Sequence, residues 1–150
     1  MTSIVTSIEI AAPLADVSVF FVPQRMPYWY GAEMSAEFQL LDGASDFQVS
    51  QKLRVIGKVG SREVGHAAVV TDCRWGKVLE WRFQDRYGVK GMERWEIAPI
   101  SSASTRVTMT SEYEMPNALA RFTDKLFTRR AIARRNRDNL ARLKKLAERK

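Results

Sequence analysis

The stretch VLEWRFQDRYGVKGMERWEIAPISSASTRVTMTSEYE, residues 78–114, decides the fold. Leu79, Trp81 and Phe83 share one parity, as do Glu93, Trp95 and Ile97, then Val107, Met109, Ser111 and Tyr113. Glu80, Arg82, Arg94, Glu96, Arg106 and Glu112 take the other. Successive side chains of a strand point to opposite faces, so this period of two predicts a sheet that is dry on one side and wet on the other. Tyr87-Gly88 and residues 99–104 interrupt the runs, and connections this short join antiparallel neighbours.

Upstream, the dry face continues through Ala36, Phe38 and Leu40 and then Val49, Gln51, Leu53 and Val55, with Lys52 and Arg54 opposite. Asp42-Gly43, residues 57–61 and Trp75-Gly76 supply turns, so six strands fit residues 33–114. The strand at 62–73 does not declare its inner face. Nearer the start, Ile4, Thr6, Ile8 and Ile10 alternate with Val5, Ser7 and Glu9 as one more strand. Pro13 suits the opening of a short helix carrying Val17, Val19, Phe20 and Phe21, because its missing N–H has no helical partner there. Pro27 and Gly31 limit residues 24–30 to a second short helix or turn.

Downstream, Asn117 is a suitable N-cap. Leu119, Phe122, Leu126, Ala133, Leu140, Leu143 and Ala147 recur at steps of three, four or seven, which predicts one amphipathic helix. Some 30 residues at 1.5 Å each make a rod of about 45 Å, long enough to cover the dry face. The architecture expected is α+β: a curved antiparallel sheet of about seven strands around a long C-terminal helix, with two short helices after the first strand.

Composition narrows the function. With 150 residues, 45% of them hydrophobic and 27% charged, the chain has the make-up of one compact domain over residues 1–150. The single cysteine, Cys73, and single histidine, His66, leave no internal disulfide and no Cys/His zinc cluster. No metal or cofactor is expected. Gly60 and Gly65 are spaced like a phosphate loop, but His66-Ala67 follows where Lys and Ser/Thr are needed, and neither a dinucleotide glycine pattern nor a Gly-x-Ser-x-Gly elbow occurs. MTSIVTSIEI has no basic leader and no segment reaches the roughly 20 apolar residues of a membrane span, so a cytoplasmic location is expected. Net charge is +7 and is concentrated: residues 117–150 hold 12 Lys and Arg against three acids. Such a helix either presents a solvated basic face or lies on an anionic membrane surface, with Arg129-Arg130 and Arg134-Arg135 densest; nucleic acid is the less expected partner, and no oligomeric state follows.

The order of elements resembles the helix-grip fold of the START-like superfamily (SRPBCC), which includes the birch pollen allergen type, lipid-transfer START domains and the polyketide cyclase/dehydrase group. Ile8, Ile10, Ala12, Pro13 and Val17 resemble its opening pattern, Tyr28 and Trp29 its aromatics after the first helices, Thr105-Arg106-Val107 the start of its last strand, and Leu140, Leu143 and Leu146 the end of its long helix. The resemblance covers the whole chain and implies a cavity between sheet and helix for an apolar or amphipathic small molecule.

Trp29, Phe38, Leu53, Trp81, Phe83, Trp95, Met109, Tyr113, Phe122 and Leu126 are the side chains expected to face that space. They fit either cavity lining or ordinary core. Gln51 and Ser111 are polar on the same face and suit a ligand oxygen. Glu93 is the candidate catalytic residue, because a carboxylate on an apolar face is costly unless paired or protonated. Two roles fit it: orienting or exchanging a proton with a ligand, or a structural one, paired with an arginine or at the wet mouth of the sheet. The expected function is binding of a small hydrophobic or amphipathic ligand, such as a lipid or polyketide, as carrier, sensor or sequestering protein. The alternative is an enzyme of the polyketide cyclase/dehydrase kind, acting by positioning and by proton transfer through Glu93 and, less directly, His66 or Tyr113. A third class is an interaction module using the basic helix.

Overall fold

The structure, a computed structural model, describes residues 1–43 and 45–149. Its strands are β1 (Thr2–Ile10), β2 (Glu37–Leu40), β3 (Lys52–Val59), β4 (Arg62–Arg74), β5 (Val78–Asp85), β6 (Lys90–Ser101) and β7 (Ser104–Glu114). They form one curved antiparallel sheet in the order β1-β7-β6-β5-β4-β3-β2. Irregular pairing at Val70/Asp72 in β4 and Pro99/Ser101 in β6 inserts an extra residue on one strand, and bulges of this kind bend the strand that carries them. The expected parity holds: Leu79, Trp81, Trp95, Ile97, Val107, Met109, Ser111 and Tyr113 are buried on the concave face, and Arg82, Glu96 and Arg106 are exposed on the convex one. Two local expectations differ. Gly57 lies inside β3, whose turn is only Gly60-Ser61, and Val49 precedes β3 in a turn, exposed.

Because β1 and β2 are the two edges of the sheet, the chain between them must cross its concave face. That crossover holds α1 (Leu14–Ser18), whose first N–H groups bond the carbonyl of Pro13, and short 3-10 turns at Met26–Tyr28 and Ala32–Met34. It carries Trp29 and Tyr30 over the middle of the sheet. Trp29 meets Trp95 edge to face at 6.2 Å and donates its indole N–H to the Phe20 carbonyl.

The C-terminal rod is interrupted. It runs as α2 (Ala118–Thr123), a π turn (Asp124–Thr128) and α3 (Arg129–Ala147), with the Asn117 side chain capping the Ala120 N–H at 2.8 Å as expected. The wide turn is pinned by Asp124, which is buried and accepts hydrogen bonds from the Tyr113 hydroxyl at 2.5 Å and the Thr2 hydroxyl at 2.8 Å. One extra residue per turn rotates the downstream helix by roughly 100° relative to an unbroken one. The apolar stripe expected from Leu119 to Ala147 is therefore split. Leu140, Leu143 and Ala147 face the core, while Leu119, Phe122 and Leu126 face away from it. α3 is fastened at both flanks: the Asn136 amide donates to Ser111 Oγ, Arg142 Nε to the Trp29 carbonyl, Lys144 to the Glu9 carbonyl, and Glu148 accepts from the Ala11 N–H.

Candidate functional site

Glu93, in the first half of β6, is flanked across the sheet by Trp81 and Ser111 and is only 2% exposed. Of the two structural expectations, a place at the wet mouth of the sheet or a pairing with an arginine, neither describes it: its hydrogen-bond partner is a tyrosine. The hydroxyl of Tyr30 faces both carboxylate oxygens, at 2.8 and 2.9 Å. Burial and then the adjacent Glu93 charge push the Tyr30 pKa well above its ordinary value, so the phenol keeps the proton it donates. The Tyr30 ring is itself locked edge to face against Trp95, Trp81 and Phe38 at 5.5 to 5.7 Å.

On the solvent side of this pair, a cavity of about 310 Å³ opens between β4–β7 and α3. Its apolar wall residues are Met34, Val64, Phe83, Val89, Met115 and Ile132; His66, Glu93 and Arg135 are polar and line it too, with Asp85, Tyr87, Tyr113 and Thr128. Gly65 forms part of the wall in a backbone conformation with φ +153°, where a Cβ would lie 2.0 Å from the Val55 carbonyl oxygen. His66 packs at a tilt against Phe83 with ring centroids 5.0 Å apart and places Nε2 4.0 Å from Glu93 Oε1, too far for a hydrogen bond. Its Nε2 is buried with no partner among the described residues, and so is Nε of Arg135. Burial works against the Arg135 charge, but the neighbouring Glu93 and Glu33 carboxylates help to hold its pKa above the ordinary value. The cavity therefore brings together a cationic side chain, an imidazole and the Glu93 carboxyl group against walls that also carry apolar side chains.

For His66, burial lowers the pKa below 6.5, partly offset by Glu93 and Asp85 and reinforced by Arg135. The unfolded chain then binds a proton more readily than the folded one. Stability from this group is complete above about pH 6.5 and is lost as pH falls through the lower folded pKa. His66→Gln is expected to flatten the stability profile between about pH 7 and 5. Urea midpoints across that range check it; a slope unchanged by the substitution contradicts a buried neutral His66.

A slot between a seven-stranded curved sheet and a C-terminal helix, with polar as well as apolar side chains in its walls, agrees with what comparison with known proteins shows. The family described as polyketide cyclase / dehydrase and lipid transport matches residues 1–148. The chain belongs to that family. No protein of curated function matches it in sequence. Among solved structures, the Zhui aromatase/cyclase of a Streptomyces species aligns with TM-score 0.76 at 15% identity, covering 99% of this chain and 94% of that one. A protein from Arthrobacter aurescens aligns with TM-score 0.75 at 16% identity, over 97% and 85% of the two chains. One from Chromobacterium violaceum aligns with TM-score 0.70 at 16% identity over the full length of both. At these identities the likeness is one of fold, and the helix-grip architecture expected from the sequence is the one present.

Within this family member the residues singled out from sequence separate into three groups. Phe83, Glu93 and Tyr113 line the cavity, although the Tyr113 hydroxyl is committed to Asp124. Trp29, Phe38, Leu53, Trp81, Trp95 and Met109 belong to the packed core beside it, and Gln51 donates to the backbone carbonyls of Leu41 and Lys52. Phe122 and Leu126 do not face the space between sheet and helix; the π turn leaves them 63% and 44% exposed. Arg135, counted with the basic outer face, turns inward to the cavity. Sequence reasoning also passed over Tyr30. The only signal for it is that a polar group on the dry face requires a partner, and Tyr30 is the hydroxyl that the crossover delivers to it.

Proposed function

We propose that the protein binds a small amphipathic molecule in the cavity between β4–β7 and α3, as a single-domain cytoplasmic binding or sequestering protein. The anionic or oxygen-rich end of the ligand lies against Arg135 and His66, and its apolar body lies along Phe83, Val89 and Ile132. The observation that carries this reading is the pair of buried nitrogens, Arg135 Nε and His66 Nε2, that have no partner among the described residues and lie in a cavity with apolar walls at Phe83, Val89 and Ile132. Buried polar groups are nearly always hydrogen-bonded, and a ligand oxygen supplies what these two lack. Size supports a compact occupant. The cavity of about 310 Å³ is near the lower limit for ligand pockets, and about twice the ~150 Å³ that accommodates one benzene ring, so a compact aromatic body fits.

Two naphthalene dyes test this, the anionic anilinonaphthalene sulfonate and the neutral N-phenylnaphthylamine. The expected result is saturable binding of the anionic dye at one site, weakened about tenfold or more by Arg135→Met, with the neutral dye affected by about twofold at most. Equal losses for both dyes, or no saturable binding, contradicts the reading.

A second reading rests on His66. A neutral imidazole 4.0 Å from Glu93 is placed to take a proton from a bound carbonyl compound while Glu93 stabilises the resulting charge, which is the proton-transfer step that a cyclase or dehydratase needs. In that case His66→Gln removes turnover while Arg135→Met chiefly raises KM.

A further inference from the structure

We propose that residues 118–130, the α2 helix with its π turn, form a docking surface for an anionic lipid bilayer. Two independent features meet there. The π turn puts Leu119, Phe122, Leu126 and Phe127 on the outward side of the rod, 76%, 63%, 44% and 67% exposed. Four large apolar side chains on one short helical stretch are a concentration that soluble surfaces seldom carry without an interaction partner. Along one flank, Arg121, Lys125 and Arg129 line a groove of about 510 Å³ together with Met1 and Glu114. None of these three cations, nor Arg130 beside them, forms an ion pair among the described residues. The acid closest in sequence, Asp124, also lines the groove, but its carboxylate accepts from the Tyr113 and Thr2 hydroxyls and forms no ion pair with these cations.

Charge selects the occupant. A second copy of this surface would bring like charges together around the apolar crest. A phosphate backbone would meet the cations but offer nothing to the aliphatic Leu119 and Leu126. A leaflet rich in phosphatidylserine matches both, with headgroups at the cationic flank and the crest at the acyl boundary, as for interfacial amphipathic helices in general. Thr128, one residue beyond Phe127, lines the ligand cavity, so docking would bring the cavity mouth close to the bilayer. Docking of this kind is independent of what the cavity holds.

Vesicle sedimentation of the full chain tests it, with phosphatidylcholine vesicles carrying about 30% phosphatidylserine against phosphatidylcholine alone. The expected result is binding at least about tenfold stronger to the anionic vesicles, lost at about 0.5 M salt. Arg121→Gln with Lys125→Gln is expected to weaken it about fivefold per charge, and Phe122→Ser with Phe127→Ser about tenfold or more. All four side chains are exposed, so the variants are expected to remain folded, which thermal melts check. Equal binding to both vesicle types, or no binding to either, overturns the proposal. So does charge dependence with no effect of the Phe substitutions, which describes an unspecific basic patch. A dimer in light scattering that Phe122→Ser with Phe127→Ser dissolves would assign the crest to a second copy instead.

Discussion

Trp95→Ala is expected to lower the unfolding free energy by about 3–5 kcal/mol, while Phe83→Ala costs about 1 kcal/mol. Both residues belong to the concave face, and the difference follows from what surrounds them. Trp95 is fully buried, with Trp81 at 4.8 Å, Tyr30 at 5.5 Å and Trp29 at 6.2 Å, so truncation leaves a hole that three locked rings cannot close. Its indole N–H has no acceptor among the described residues, so the substitution strands no polar partner and the loss is one of packing. Phe83 is half-buried at the edge of an existing cavity, and shortening it mainly enlarges that cavity. Urea unfolding at constant m-value gives both numbers. Similar costs for the two residues would mean that the aromatic cluster is not the packed floor of the site.

Tyr30→Phe is expected to cost about 2–3 kcal/mol although the ring and its contacts remain. The hydroxyl is the sole hydrogen-bond donor to Glu93 among the described residues, and without it a fully buried carboxyl group faces Trp81 on one side and His66 at 4.0 Å on the other. Glu93→Gln in the same background should recover part of the loss, because a neutral amide is cheaper to leave in that position than a carboxylate. A double-mutant cycle is thus expected to show a coupling of about 1–3 kcal/mol between residues 30 and 93. Strict additivity would show that the pair does not act as a unit. Because Tyr30 comes from the crossover and Glu93 from the sheet, this coupling also measures how firmly the crossover is fixed over the floor of the cavity.

How far the sequence is readable depends on contrast between neighbouring residues. Along residues 79–83 of β5, 94–97 of β6 and 106–110 of β7 each apolar residue alternates with a charged or hydroxylic one, so the buried face follows directly from parity. β4 lacks that contrast because Ala67, Ala68, Val69 and Val70 are all apolar, and the inward position of His66 becomes visible only through its pairing with Val55 and Asp85. Tyr28, Trp29 and Tyr30 are three consecutive aromatics, of which Tyr28 is exposed and the other two buried, a distinction set by the sheet beneath them. The π turn has no local mark at all. Leu119 to Ala147 fits an unbroken helical stripe, and what breaks it is Asp124, held by Tyr113 and Thr2 from distant parts of the chain. Hidden with the same turn is the inward position of Arg135, the cationic member of the site.

Chemical-shift mapping of the isotope-labelled protein with anilinonaphthalene sulfonate tests the central claim most directly, because it separates the cavity from the exposed crest in one titration. The largest saturable shifts are expected on His66, Phe83, Val89, Ile132 and Arg135. Shifts confined to Leu119, Phe122, Leu126 and Phe127, or scattered over the convex face, would contradict a ligand site between sheet and helix.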